Sequence, residues 1–340
     1  MTKYLGVDLG TSTIKISYEE KHYLIPSLIG EVNPGWAGAA GDRSLEKNMV
    51  IIDGSDKWYV GELARLQSEI KRPLASNGQM KSAEETFLAI KAALGLIIDN
   101  EDEDIIIATG VPVATSMDIM KNLSRMLKGN IDIHLENEAT NETKRLSVNI
   151  QKTLVMPEPY GTYYKVLKDR GADEAVDTVL IDIGHGSTDI LTMYQGRPMR
   201  TASGSLVEAV DILTSRIAKA LQEKTGQIIK PFDLMTVIKN QKETVMIGGQ
   251  TYSIKGLKEH YSKQIARVII DEVKRLISTL PPDAFIEYYI ICGGGAYSFG
   301  DVIKEAIIEG KLVSSPENVI IPEDPVLSNA LGFELIANKK

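Results

Sequence analysis

The 340-residue sequence holds a single cysteine, Cys292, so no disulfide can close within the chain and no thiolate cluster can hold a metal. Cys292 ends the apolar run Tyr288-Tyr289-Ile290-Ile291-Cys292, where it is expected to serve as a small buried hydrophobe. The histidines, His22, His134, His185 and His260, show no metal-ligand spacing. No run reaches the ~18 apolar residues of a membrane span. The stretch Tyr4 to Val7, after Lys3, is too short for a secretory signal. Positive charge is in deficit: 38 Lys and Arg face 46 Asp and Glu, for a net charge of −8. That argues against tight direct binding to nucleic acid or an anionic membrane, which needs a basic stripe. Low-complexity segments are missing too. What remains is 43% hydrophobic and 25% charged, a globular composition, long enough for roughly two domains. These features predict a soluble cytoplasmic protein.

Two stretches then say nearly the same thing. Leu5-Gly6-Val7-Asp8-Leu9-Gly10-Thr11-Ser12-Thr13-Ile14-Lys15-Ile16 and Leu180-Ile181-Asp182-Ile183-Gly184-His185-Gly186-Ser187-Thr188-Asp189-Ile190 each place an Asp near the end of an apolar strand. A short Gly- and hydroxyl-rich turn and a second apolar strand follow, the pattern of a β-hairpin. Backbone N–H groups and hydroxyls converging at such a turn suit a phosphate. The neighbouring Asp suits a divalent cation, held directly or through water, although a lone Asp in a turn also bonds its own backbone. The repeat implies two similar lobes facing each other around a nucleotide, with Asp8 and Asp182 sharing one cation that relieves their mutual repulsion.

Between and after the hairpins the pattern alternates. Pro26 to Gly41 reads as irregular or extended, residues 50–60 as a hairpin, and Lys71 to Gln79 as a loop. A helix is predicted over Lys81 to Ile98, opened by a Ser82/Glu85 capping box. The acidic run Asp99 to Asp104 reads as a solvated loop, and Ile105 to Ala108 as a buried strand of parallel type. Met117 to Lys128 is predicted helical, and Ile131 to Ile150 a hairpin. Further helices are predicted over Tyr160 to Arg170, Leu206 to Lys224, from Pro231, and over Leu257 to Leu280, the last stopped by Pro281-Pro282. A hairpin is expected over 245–252. A strand at 286–292, Gly293-Gly294-Gly295, a helix near 299–309 and a last helix over Leu327 to Ile336 complete the chain. This order fits two duplicated α/β lobes with small insertions.

The paired hairpins, followed in order by the glycine triplet, resemble the phosphate loops and adenosine loop of the actin, sugar-kinase and heat-shock-chaperone superfamily. Within it the chain most resembles the prokaryotic actins of the ParM-like plasmid-segregation group and their archaeal relatives. The resemblance implies an actin-like fold of two RNase H-like lobes around a nucleotide cleft. The first lobe would span 1–157, with an inserted subdomain at about 27–100 and the helix 327–340 completing it. The second would span 158–326, with an insertion at about 227–280. ATP or GTP with Mg2+ would be held by Asp8, Gly10, Thr11, Ser12 and Lys15 of the first hairpin. Gly184, His185, Gly186 and Ser187 of the second, and Gly293, Gly294 and Gly295, would complete the nucleotide contacts. Asp8 and Asp182 would serve the metal, and Lys15 would reach the β- and γ-phosphates.

Val155-Met156-Pro157-Glu158-Pro159, expected to link the lobes, resembles the segregation-actin run that positions the attacking water. This makes Glu158 the candidate to polarise water, with Asp189 and Asp182 as further catalytic candidates. By residue type alone Glu158 equally suits a first-turn helix acid. Ala108-Thr109-Gly110-Val111-Pro112 and Leu327-Ser328-Asn329-Ala330-Leu331-Gly332 resemble the superfamily's hinge segments. The implied function is a nucleotide-hydrolysing protein that polymerises into filaments, for plasmid segregation through an adaptor to DNA or for other cytoskeletal work. A small-molecule kinase and a non-filamentous nucleotide-binding scaffold or sensor are the alternatives. A DnaK-type chaperone would be expected to carry a substrate-binding domain after the last helix, which ends here near Lys340, and no Asp beyond Asp189 offers itself as a base for a sugar hydroxyl.

Overall fold

The computed structural model describes residues 2–33, 41–74, 83–99, 103–172 and 175–339. The chain divides into two compact units, residues 1–165 with 329–340, and residues 166–328.

Unit 1 is built on one sheet. Its strands are β1 (Lys3–Leu9), β2 (Thr13–Tyr18), β3 (Lys21–Pro26), β4 (Leu28–Glu31), β5 (Met49–Asp53), β6 (Asp56–Val60), β7 (Lys71–Pro73), β8 (Glu103–Val111), β9 (Gly129–Asn137) and β10 (Glu142–Pro157). Among the described residues they run in the order β3-β2-β1-β8-β10-β9-β5-β6-β4-β7. The centre, β1-β8-β10, is parallel, and β2 returns antiparallel on β1. Strand alternation decides what covers each face. Leu5, Val7, Ile105 and Ile107 point into a core with Ala89, Leu94 and Ile97 of helix α2 (Ala83–Ile97), the longest helix of this half. Ile106, Ala108, Leu154 and Met156 point the other way.

The rest of unit 1 is helix α1 (Glu62–Gln67), which packs on β4 and β6, helix α3 (Met117–Met126) against β10, and the start of helix α4 (Pro159–Arg170). In unit 2, β11 (Thr178–Ile183) pairs antiparallel with β12 (Thr188–Tyr194) and parallel with β17 (Tyr288–Cys292), and β18 (Val319–Ile320) extends the parallel part. β13 (Arg197–Pro198) and β14 (Gly204–Leu206) both pair with β12. Helices α5 (Val210–Thr225), α7 (Lys255–Ile277) and α8 (Ala296–Glu309) form the core with Val179, Ile181, Ile183 and Ile291 through Leu213, Ile217, Ile269, Val273, Phe299 and Ile303. Helix α6 (Pro231–Lys239) leads into a separate hairpin, β15 (Thr244–Ile247) and β16 (Gln250–Ser253).

Helix α9 (Ser328–Ala337) covers the second face of the unit 1 sheet, packing Phe333 and Ala337 on Ala108. Two backbones touch where α9 crosses α4, since a Cβ at Gly332 would overlap the Gly161 carbonyl. Alongside, the buried Asn329 Oδ1 accepts from the Thr162 N–H at 3.2 Å and the Thr162 hydroxyl at 2.6 Å. Glu334 fastens the other side of α9, accepting from the Ser17 hydroxyl and, at 2.6 Å, from the Glu19 N–H.

Several local expectations are corrected. Lys71–Pro73, read as loop, is the strand β7 on β4. Met156 and Pro157, read as a link between lobes, still belong to β10 and pair with Gly110 and Val111 of β8. Leu206, read as helical, pairs with Thr188, so α5 starts at Val210. α8 starts at Ala296, directly after the glycine triplet, and α7 ends at Ile277, short of Pro281. Ser82 of the expected capping box, and the segments 34–40, 75–79 and 100–102, lie outside the described residues. Gly332→Leu is expected to force α4 and α9 apart and destabilise the fold by about 3 kcal/mol, read as a lowered urea midpoint.

Candidate functional site

Antiparallel register places residues on either side of a short turn face to face, with their side chains on the same side of the sheet. In unit 1 this pairs Asp8 with Lys15. The Lys15 Nζ lies 2.8 Å from Asp8 Oδ2, and Asp8 is only 1% exposed. A carboxylate so buried needs a charged partner, and Lys15 supplies one. The turn between them, Gly10-Thr11-Ser12, is fixed by the Ser27 N–H donating to Ser12 O at 3.0 Å. The N–H groups of Thr11 and Ser12 have no hydrogen-bond partner among the described residues. They are donors in reserve at a solvent-reachable turn.

Glu158 follows the last residue of β10, and its N–H donates to Val111 O at 2.9 Å. Because β1, β8 and β10 run parallel, Asp8, Val111 and Glu158 all fall at the carboxyl ends of their strands. Sheets of this kind bind ligands at that edge. The sequence-predicted residues Asp8, Gly10, Thr11, Ser12, Lys15 and Glu158 thus gather on one edge of unit 1.

Unit 2 repeats the plan with different charges. Register pairs Asp182 with Asp189, so acid faces acid where unit 1 sets acid against lysine. The Ser205 hydroxyl of β14 donates to Asp189 Oδ1, steadying one of the two. Asp182, 8% exposed, lies against Gly293, whose φ of +79° and close contact with Asp182 Oδ1 both require glycine. The triplet is stitched to the end of β11 by Gly295 N–H to Ile183 O at 2.7 Å, and to the chain beyond by Gly293 N–H to Pro325 O at 2.8 Å. Gly294 between them is exposed, and α8 begins at once.

The turn Gly184-His185-Gly186-Ser187 is held from behind. Gly184 N–H donates to Ser187 O at 2.8 Å, and the first turn of α5 donates to the carbonyls, Asp211 N–H to His185 O at 2.9 Å. With its carbonyls engaged, the turn keeps the N–H groups of His185, Gly186 and Ser187 without partners among the described residues. Burial pushes the His185 pKa below the ordinary imidazole value, with the Asp211 carboxylate opposing. Burial in turn raises the Asp211 carboxyl, opposed by the Ile212 N–H and by His185. Asp182, Asp189, the turn 184–187 and the triplet 293–295 therefore share one edge of unit 2. Among the described residues no group of three or more His, Cys, Asp or Glu side chains could hold a metal ion. Each turn, with unspent donors beside a buried carboxylate, fits a phosphate group whose cation keeps most of its oxygen ligands from water and phosphate.

Sequence profiles place this arrangement. Residues 6–161 match the family described as actin-like proteins, N-terminal domain, and residues 180–305 match the archaeal actin homologue MreB-like C-terminal family. The chain belongs to the actin-like proteins. The archaeal actin homologue Ta0583, solved in complex with ADP, superimposes on this actin-like chain with a TM-score of 0.77 at 22% identity, covering 99% of this chain and 100% of that one. A ParM from a 15-stranded filament of Clostridium botulinum gives 0.75 at 20% identity, with 99% of both chains covered. The actin-like protein MamK of Paramagnetospirillum magneticum is 22% identical over 70% of this chain, and the match spans only 60% of that relative's length. The fold is thus the actin-like one.

Sequence reasoning missed Ser205 and Asp211, and named Asn329 only as part of a hinge segment. Ser205 reaches Asp189 only because β14 folds back on β12, and no local pattern announces that. Among the described residues no helix is long and apolar enough to cross a membrane. His185 binds its proton less tightly in the folded chain than in the unfolded one, so the unfolded state takes up more protons as the pH falls. Stability is expected to drop on acidification from just above the ordinary imidazole pKa down to the lowered one. His185→Gln should flatten that part of a denaturation profile recorded between pH 7.5 and 5.

Proposed function

We propose that this actin-like protein binds and hydrolyses a Mg2+-nucleoside triphosphate, ATP or GTP, and assembles head-to-tail into filaments. The observation that carries the reading is the pair of turns, 10–12 and 184–187, each with unspent backbone donors and each beside a buried aspartate. Donors of that kind favour phosphate oxygens. The exposed Gly294 ahead of α8 leaves backbone open for a nucleoside to approach. The ADP held by the Ta0583 relative and the filament built by the ParM relative support the same reading.

The chemistry asked of the chain is modest. Bound Mg2+ would neutralise phosphate charge, with Asp8 and Asp182 as the residues that hold it, directly or through water. Lys15 would divide its charge between Asp8 and the phosphates. Glu158 would orient and polarise the attacking water, with Asp189, steadied by Ser205, as a second carboxylate for that task. His185 shapes the turn and, kept neutral by burial, donates no extra charge. A role in moving plasmid DNA would run through an adaptor, consistent with the net charge of −8.

Two measurements test the site. Asp8→Asn and Asp182→Asn should each weaken Mg-nucleotide binding at least tenfold by calorimetry, on the scale of one charged contact. Unchanged Mg-ATP and Mg-GTP affinities in both variants would sink the assignment. Glu158→Ala should keep nucleotide affinity and lose most phosphate release, because a water-orienting group acts in the transition state. Hydrolysis at the wild-type rate would return Glu158 to the role of a helix-start acid.

A further inference from the structure

The first turn of α8 offers an exposed ring next to open backbone. Tyr297 lies two residues after Gly295 and is 44% exposed. Beside it, a Cβ added at Gly294 would meet nothing within 4 Å. The segment 320–327 is tied to the same place, because the Gly293 N–H donates to Pro325 O at 2.8 Å. Asp324 therefore stands next to the triplet. Its Oδ1 is spent on the backbone, accepting the Val326 N–H at 3.1 Å and the Leu327 N–H at 3.0 Å. Its Oδ2 has no hydrogen-bond partner among the described residues. Burial and, second to it, the Asp324 charge raise the Tyr297 pKa, so the two side chains are neighbours and the phenol stays neutral.

Charge sets this corner apart from the phosphate turns. Residues 293–303 and 320–327 carry Asp301, Glu323 and Asp324 and no Lys or Arg, and the first basic residue along α8 is Lys304. Carboxylates without a cation repel phosphate oxygens. They suit a neutral group that brings hydrogen-bond donors. The two purines differ in this respect. Guanine presents N1–H and an N2 amino group side by side, donors that a carboxylate oxygen accepts together. Adenine sets its N6 amino donor beside the lone pair of N1, which a carboxylate repels.

We propose that Tyr297 and Asp324 form the base subsite of the nucleotide site and select guanine over adenine. The Tyr297 ring stacks on the purine, and Asp324 Oδ2 accepts the guanine N–H groups. The assignment rests on the nucleotide-binding reading and adds the base to it. Discrimination falls to the carboxylate, because an aromatic ring stacks on either purine. A site built to accept two donors rejects a ligand that offers a lone pair in place of one.

Calorimetry on the intact wild-type chain with Mg-GTP, Mg-ITP and Mg-ATP tests this first without any variant. GTP is expected to bind at least tenfold more tightly than ATP, the scale of one hydrogen bond to a charged group. ITP keeps N1–H and lacks the N2 amino group, so it should fall between them. Asp324→Asn keeps an oxygen for the Val326 and Leu327 N–H groups and puts an amino group where the second oxygen stood. It should reverse the order to ATP over GTP. Tyr297→Ala should weaken all three nucleotides by a similar factor of about ten, since stacking does not tell the bases apart. Equal affinities, tighter ATP, or an Asp324→Asn protein that keeps the wild-type order overturns the proposal. Should that variant fail to fold, the order of the three nucleotides on the wild type still decides. A wild type that binds none of them ends the nucleotide reading and the base subsite with it, whereas binding without a base preference ends the subsite alone.

Discussion

An aspartate buried near the end of a central strand must be met by something, because an uncompensated carboxylate costs more free energy than most folds possess. The site follows from how each unit meets that demand. The hairpin register fixes the position opposite as the nearest place for a partner. Unit 1 fills it with Lys15, making a closed ion pair. Unit 2 fills it with a second acid, Asp189, and turns to the Ser205 hydroxyl and the close backbone of Gly293 instead. The duplicated architecture is therefore electrostatically unequal. One half sets a lysine across from its aspartate, and the other sets a second aspartate there.

The backbone donors follow the same logic. A turn of three or four residues between antiparallel strands cannot satisfy all of its own N–H groups, and here its carbonyls are claimed from outside, by Ser27 in unit 1 and by the first turn of α5 in unit 2. Claiming the carbonyls fixes the turn's conformation and leaves the donors turned outward. In unit 2 one bond stays within the turn, from the Gly184 N–H to Ser187 O, and the rest of its fastening comes from the first turn of α5.

Much of this was legible in the sequence, and the reasons are specific. Gly10-Thr11-Ser12 and Gly184-His185-Gly186-Ser187 announce their hairpins because turn chemistry is local. The all-apolar Ile105 to Ala108 announces a buried parallel strand for the same reason. Errors arose where a distant partner decided the outcome. Lys71–Pro73 has three exposed residues and no periodicity, and is a strand only because β4 offers an edge. Val155 to Pro157 reads as a linker by its prolines, yet β8 holds it in register as far as Val111. Leu206 fits a helical pattern until Thr188 pairs with it. Of the site, the residues on the turns were visible and their supports were not. Ser205, Asp211 and Asn329 act across 16 or more residues or through a helix end that no motif marks.

Strand β10 carries one more implication. It is 16 residues long, begins in a hairpin with β9 at the outer half of the sheet, and ends against β8 one residue before Glu158, with a single irregularity between Ile150 and Lys152. No loop interrupts it, so there is little slack along its length. A pull on the outer half of the sheet would be carried along taut backbone to the start of α4, where Glu158 sits. In mechanical terms the strand is a tie: a displacement of the outer half of the sheet reaches the start of α4, where Glu158 sits, through one run of backbone.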